Sequence, residues 1–148
     1  DSVCGALVSQ IDLMATLADV VGTKLPDNAA EDSHNLLPLF QGGTTPVRDT
    51  HVHNTTATYA IRHGDWVLVD AKDGYISKVD PNWEIRHGYP AKDSHTAELY
   101  NLKEDIGQKN NLAAAHPEKL EELRSLLNKV RQQGHSAPRL EDAPTIPN

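Results

Sequence analysis

Cysteine, methionine and phenylalanine each occur once in this sequence of 148 residues, and aromatic side chains make up only 5% of it. A lone Cys4 permits no internal disulfide, no four-cysteine zinc site and no CxxC pair. Basic residues are outnumbered, 14 Lys and Arg against 21 Asp and Glu, and the net charge of -7 repels a nucleic-acid backbone rather than gathering it. No nucleic-acid partner is expected. Apolar runs fall short of the roughly 20 residues that a membrane helix needs, and the first residues show neither the charged start nor the apolar middle of a signal peptide. No membrane partner is expected either. Phosphate-cradling glycine loops are missing, "QGG" at residues 41–43 being only a turn, and there is no internal repeat. The length suits one domain, or one small domain with a piece of another. Opening on "DSVCGALVSQIDLMATL" without an initiator methionine, the chain reads as a fragment.

What is present divides by periodicity. In "SQIDLMATLADVVG" the residues Ile11, Leu13, Met14, Leu17, Val20 and Val21 recur at helical spacing, mostly on one face. Ser9 followed by Asp12 resembles a capping box, and Gly22 suits the left-handed residue that ends a helix. The polar, Pro/Gly-punctuated segment that follows offers that apolar face little to pack on, so its partner is expected outside this chain. From Thr50 the period becomes two: "THVHNT", "TYAIRHG" and "DWVLVDA" read as strands, the second and third joined tightly at "HGD" into an antiparallel hairpin. A long polar excursion follows, then a strand at "AELYNL". The closing helix, "HPEKLEELRSLLNKVRQQG", has Pro117 in its first turn, acidic residues near its start, and a stripe of Leu120, Leu123, Leu126, Leu127 and Val130. Beyond it, residues 135–148 carry too little apolar content to pack and read as a loose tail. The expected fold is α+β: a small antiparallel sheet of about four strands packed against a C-terminal helix, with one helix before it.

Candidate chemistry is sparse. His51 and His53, two apart on a strand, point to one side, and HxH is a spacing that metal ligands use; further ligands would have to come from elsewhere, His63, His87 or His95 among them. Solvated surface histidines and histidines in contact with a substrate fit the same pattern. His63, at a turn, reads as exposed. Cys4 has no signature of an activated thiol. The pairs Asp70 with Asp73 and Glu104 with Asp105 read as turn chemistry. Asn54-Thr55-Thr56 matches the N-glycosylation pattern. Trp66 alternates into the core, whereas Trp83 and Tyr89, on the excursion, suit a rim that holds sugars.

Three segments resemble one family in the right order. "SQIDLMATLADVVGTKLPDNAAEDSHNLLPLF" is similar to the sulfatase pattern of a D-L-x-P-T-L helix leading through a "DS…LLPL" loop. "HVHNTTATYAIRHGDWVLV" resembles V-H-H-S followed by A-I-R-x-G-x-W-K-L, and "AELYNLKEDIGQKNNLAAAHPEKLEEL" resembles E-L-Y-D-L-x-x-D-P-x-E-x-x-N-L with its closing helix. The match runs over residues 3–134. Ala15 and Ile106 stand where the family usually has proline, Asn101 replaces aspartate, and Val67 lacks the charge of a common lysine. The family's Cys- or Ser-x-Pro-x-Arg motif, source of formylglycine, does not surround Cys4.

The resemblance implies the C-terminal part of an arylsulfatase-like sulfuric ester hydrolase. Residues 1–45 would be the last helix and connecting loop of the large alkaline-phosphatase-like α/β domain, and residues 46–134 the C-terminal sheet subdomain. Calcium and formylglycine would belong to the N-terminal domain, which would be this chain's partner; no catalytic or metal-binding residue carries over. A sulfated small molecule or glycan would be the substrate, met in the periplasm or outside the cell, and His51, His53 and Asn54 are the candidate substrate contacts. The alternative is a glycan-binding module of the same architecture without chemistry, and the first helix can also pair with a second copy of the chain.

Overall fold

The computed structural model describes residues 3–26, 28–55, 58–71, 80–89 and 97–137. The chain forms two compact units, residues 50–129 and residues 1–49 with 130–148.

The unit of residues 50–129 holds a four-stranded antiparallel sheet in the order β1 (Thr50–Asn54), β2 (Tyr59–His63), β3 (Trp66–Asp70) and β4 (Glu98–Asn101). Opposed residues share a face, so register assigns every strand residue to a side. One row across the sheet is Val52, Ile61, Leu68 and Leu99. It forms the core with Leu123 and Leu127 of the terminal helix, here α4 (Pro117–Gln133), while Tyr59, Trp66, Leu120 and Leu126 pack around it. Each fully buried leucine of α4 contributes about 2–5 kcal/mol relative to alanine. The β2–β3 turn closes on Gly64, whose φ of 58° lies in the left-handed region, and pairs His63 with Trp66. The expected hairpin and covering helix are both present.

Two short helices interrupt segments that read as loop. α3 (Pro81–Arg86) has Asp80 as N-cap, its carboxylate accepting from the Asn82 amide at 2.9 Å, and Pro81 in its first turn. α2 (Leu37–Phe40) is a single turn built on the "LLPLF" segment.

In the other unit a 3-10 turn at Gln10–Asp12 runs into α1 (Leu13–Val20). The Asp12 carboxylate accepts from the Ser9 amide at 2.8 Å, the return arm of a capping box. At the far end Gly22 has φ 69°, and bonds from the Gly22 and Thr23 amides to the Asp19 and Ala18 carbonyls close the helix as a Schellman motif. The helix is inverted relative to an ordinary surface helix. Asp12 and Thr16 are buried, at 0% and 1% exposure, whereas Ile11, Leu13, Met14, Leu17, Val20 and Val21 are all exposed, Leu17 at 58%. A polar cluster holds the inner side. Asp12 pairs with buried Arg48 at 2.5 Å and accepts from the His34 amide at 3.0 Å; the Thr16 hydroxyl donates to the Asp12 carbonyl and accepts from the Leu36 amide; Ser33 accepts from the Ala15 amide. In the same unit Ser136 donates to Asp32, and the Ala137 amide to the Glu31 carbonyl. The remainder of the expected tail, residues 138–148, lies outside the described residues.

Candidate substrate-facing site

The sheet face turned away from α4 carries the second set of rows. His51, Arg62, Val67 and Tyr100 form one, and His53, Ala60, Val69 and Glu98 the next. His51 and His53 touch edge to face, their ring centroids 4.2 Å apart and their planes at 89°. The strand alternation that groups them also sends Asn54 to the opposite face, in line with Tyr59 and Asp70, where it ends β1 exposed. The two histidines are thus brought together and Asn54 is not.

Register adds a residue that the sequence reading passed over. Arg62 is the direct cross-strand partner of His51, with its Nε donating to the Gly64 carbonyl at 2.8 Å. The neighbourhood of the histidines therefore combines imidazole donors and acceptors with a guanidinium fork, a set suited to hydroxyls and to sulfate or carboxylate oxygens. At the far edge the Tyr100 hydroxyl donates to Glu98 at 3.0 Å. The β1–β2 connection is closed by the Thr55 amide on the Thr58 carbonyl at 2.9 Å and by their hydroxyls at 2.6 Å. Thr56, the third residue of the glycosylation pattern, lies outside the described residues.

Other candidates resolve into structural roles. His63 is half-buried, and its Nδ1 lies 3.0 Å from the Thr50 hydroxyl across the β1–β2 pair, where exposure was expected. Trp66 lies against the core with His116 at its edge and the Lys119 amine 6.0 Å from its ring. Asp70 pairs with Arg124 of α4 at 3.3 Å. Asp105 accepts from the amides of Lys109 and Asn110 and locks its turn. Asp73 and His95 lie outside the described residues.

Among the described residues no three His, Cys, Asp or Glu side chains converge as metal donors. The nearest cross-strand neighbour of the HxH pair is an arginine, which is no ligand. Cys4 is exposed and followed by Gly-Ala-Leu-Val. Neither calcium nor formylglycine fits these surroundings.

Comparison with known proteins places the chain in the sulfatase family, as the counterpart of the C-terminal part of its members. It is 35% identical over 127 residues to an N-acetylgalactosamine-6-O-sulfatase of Bacteroides thetaiotaomicron, covering 85% of this chain and 24% of the relative. Arylsulfatase K of Xenopus laevis is 24% identical over 129 residues, 84% of this chain and 22% of its own length. A solved structure associated with the metabolism of multiple glycosaminoglycans by Bacteroides thetaiotaomicron shares 35% identity and a TM-score of 0.67, over 87% of this chain and 26% of its own. The chain thus spans about a quarter of the length of these relatives. No protein-family model matches it.

Proposed function

We propose that this chain is the C-terminal part of a sulfatase that removes sulfate esters from an amino-sugar-containing glycan, working outside the cytoplasm. It supplies scaffold and one wall of the substrate pocket, while bond breaking belongs to a preceding domain that carries formylglycine and calcium. The observation that carries this reading is the inverted helix α1. A helix whose polar side is tied inward by Asp12 and Thr16, and whose apolar side is exposed, is built to be covered. The length of the relatives beyond the matched region supports a large preceding domain as that cover.

The wall is the β1 edge of the sheet face turned away from α4, where His51 is half-buried and His53 exposed, with Arg62 beside them. Imidazole and guanidinium groups at a sheet edge recognise hydroxyls and anionic oxygens, and loops on a rigid sheet commonly set selectivity. Asn54 contributes only at the strand end, since its side chain leaves toward the other face.

Replacing His51 and His53 together by alanine in the full-length enzyme tests this. The expected result is a fall in kcat/KM of roughly tenfold to a hundredfold on the sulfated glycan, the loss of one or two hydrogen bonds to a charged substrate. Unchanged kinetics across a panel of sulfated sugars would remove the histidines from the pocket.

A further inference from the structure

Helix α3 and the residues after it carry an aromatic group that the histidine wall leaves unused. Trp83 and His87, one helical turn apart, stack with centroids 3.9 Å apart and planes at 22°. Tyr89 lies 6.2 Å from Trp83 at 23°, and Gly88, at φ 75°, makes the reversal between them. His87 Nδ1 donates to the Trp83 carbonyl at 2.7 Å, which fixes the ring's orientation and leaves Nε2 on its other side. The Lys109 amine donates to the His87 carbonyl at 2.7 Å and stands 5.3 Å from the centre of the Tyr89 ring. Arg86, exposed, follows Trp83 by three positions and so neighbours it on the helix surface.

A stack built only to fill a core would be shut off from water. Trp83 keeps 42% of its surface exposed, and His87 and Arg86 are exposed beside it. Its place in the unit separates it from the histidines. The Leu112 amide bonds the Leu99 carbonyl and Asn111 accepts from the Leu99 amide, which lays the segment containing Lys109 along the outer edge of β4. β1, with His51 and His53, is the opposite edge, three strand spacings or roughly 14 Å away.

We propose that the part-exposed Trp83, in a stack with His87 and near Tyr89, with Lys109 and Arg86 close by, is a ring-stacking subsite for a second residue of an acidic oligosaccharide. The negative face of an aromatic ring attracts the weakly positive C–H edge of a sugar, and the two cations draw its sulfate or carboxylate. The ligand class rests on the sulfatase reading above; the site itself rests on the stack.

The 148-residue chain contains two tryptophans, so its two indole N–H signals can be assigned by Trp83→Phe. On titration with a chondroitin 6-sulfate hexasaccharide, the Trp83 indole and the His87 and Lys109 amides are expected to shift saturably. Trp83→Ala weakens binding roughly tenfold and Lys109→Gln about threefold, with the amides of Leu68 and Leu123 unmoved as proof of an intact core. A desulfated hexasaccharide is expected to bind more weakly. A Trp83 indole that stays fixed at saturating ligand overturns the subsite. Shifts confined to His51–His53 would overturn it while upholding the histidine wall. Equal binding of both hexasaccharides, unaffected by Lys109→Gln, overturns the acidic-ligand assignment.

Discussion

At the scale of single residues, Asp12 shows how one carboxylate can organise a helix and the loop beneath it. It caps the helix start, pairs with Arg48 and takes the His34 amide, and each of these acts on a different stretch of chain. His34 is held below its ordinary value of 6.5, first by burial and then by the Arg48 guanidinium, with Asp12 pulling the other way. The unfolded chain therefore takes up a proton at a higher pH than the folded one, and the stability His34 contributes is full above about 6.5 and lost as pH falls through its lowered value. Denaturation midpoints measured from pH 7.5 to 5 should decline, and His34→Gln should make that decline shallower; identical slopes would show that His34 is not responsible. Only part of this was legible in the sequence. The Ser9–Asp12 cap was, because its signal is local. Arg48, thirty-six positions away, carries no local signal that marks it for burial.

At the scale of elements, the strands and α4 follow from periodicity and composition, while α2 and α3 escaped it. A helix of four or six residues is too short for an apolar stripe to repeat; its marks were the caps alone, "DPNW" for α3. The candidate site divides in the same way. Two histidines at a strand spacing of two must share a face whatever their partners, so their meeting was readable. Arg62 joins them only through the pairing register, which depends on the β1–β2 connection and on which row is buried. For α1 both the apolar stripe and its want of a partner within the chain were readable; the polar cluster that pins the other side was not. An outward stripe has a measurable consequence. The isolated chain should self-associate with rising concentration in sedimentation, and Leu17→Lys with Val21→Lys should give a monomer whose stability changes by no more than about 0.5 kcal/mol, because both side chains are already exposed. A wild-type chain that stays monomeric throughout would argue against a face made to be covered.

At the scale of the whole molecule, each part has its own place in the proposed role of wall and mount. The sheet under α4 is the mount, its other face holds imidazoles and a guanidinium at the β1 edge, and α1 offers an apolar seat. Among the described residues no helix is long and apolar enough to cross a membrane. The chain as a wall and mount, with its chemistry encoded elsewhere in the polypeptide, is the central claim. The direct test is sulfate release from N-acetylgalactosamine 6-sulfate by the purified 148-residue chain with calcium present. The account predicts release no faster than the protein-free blank at every chain concentration; release that grows in proportion to the chain, and survives repurification, would contradict it.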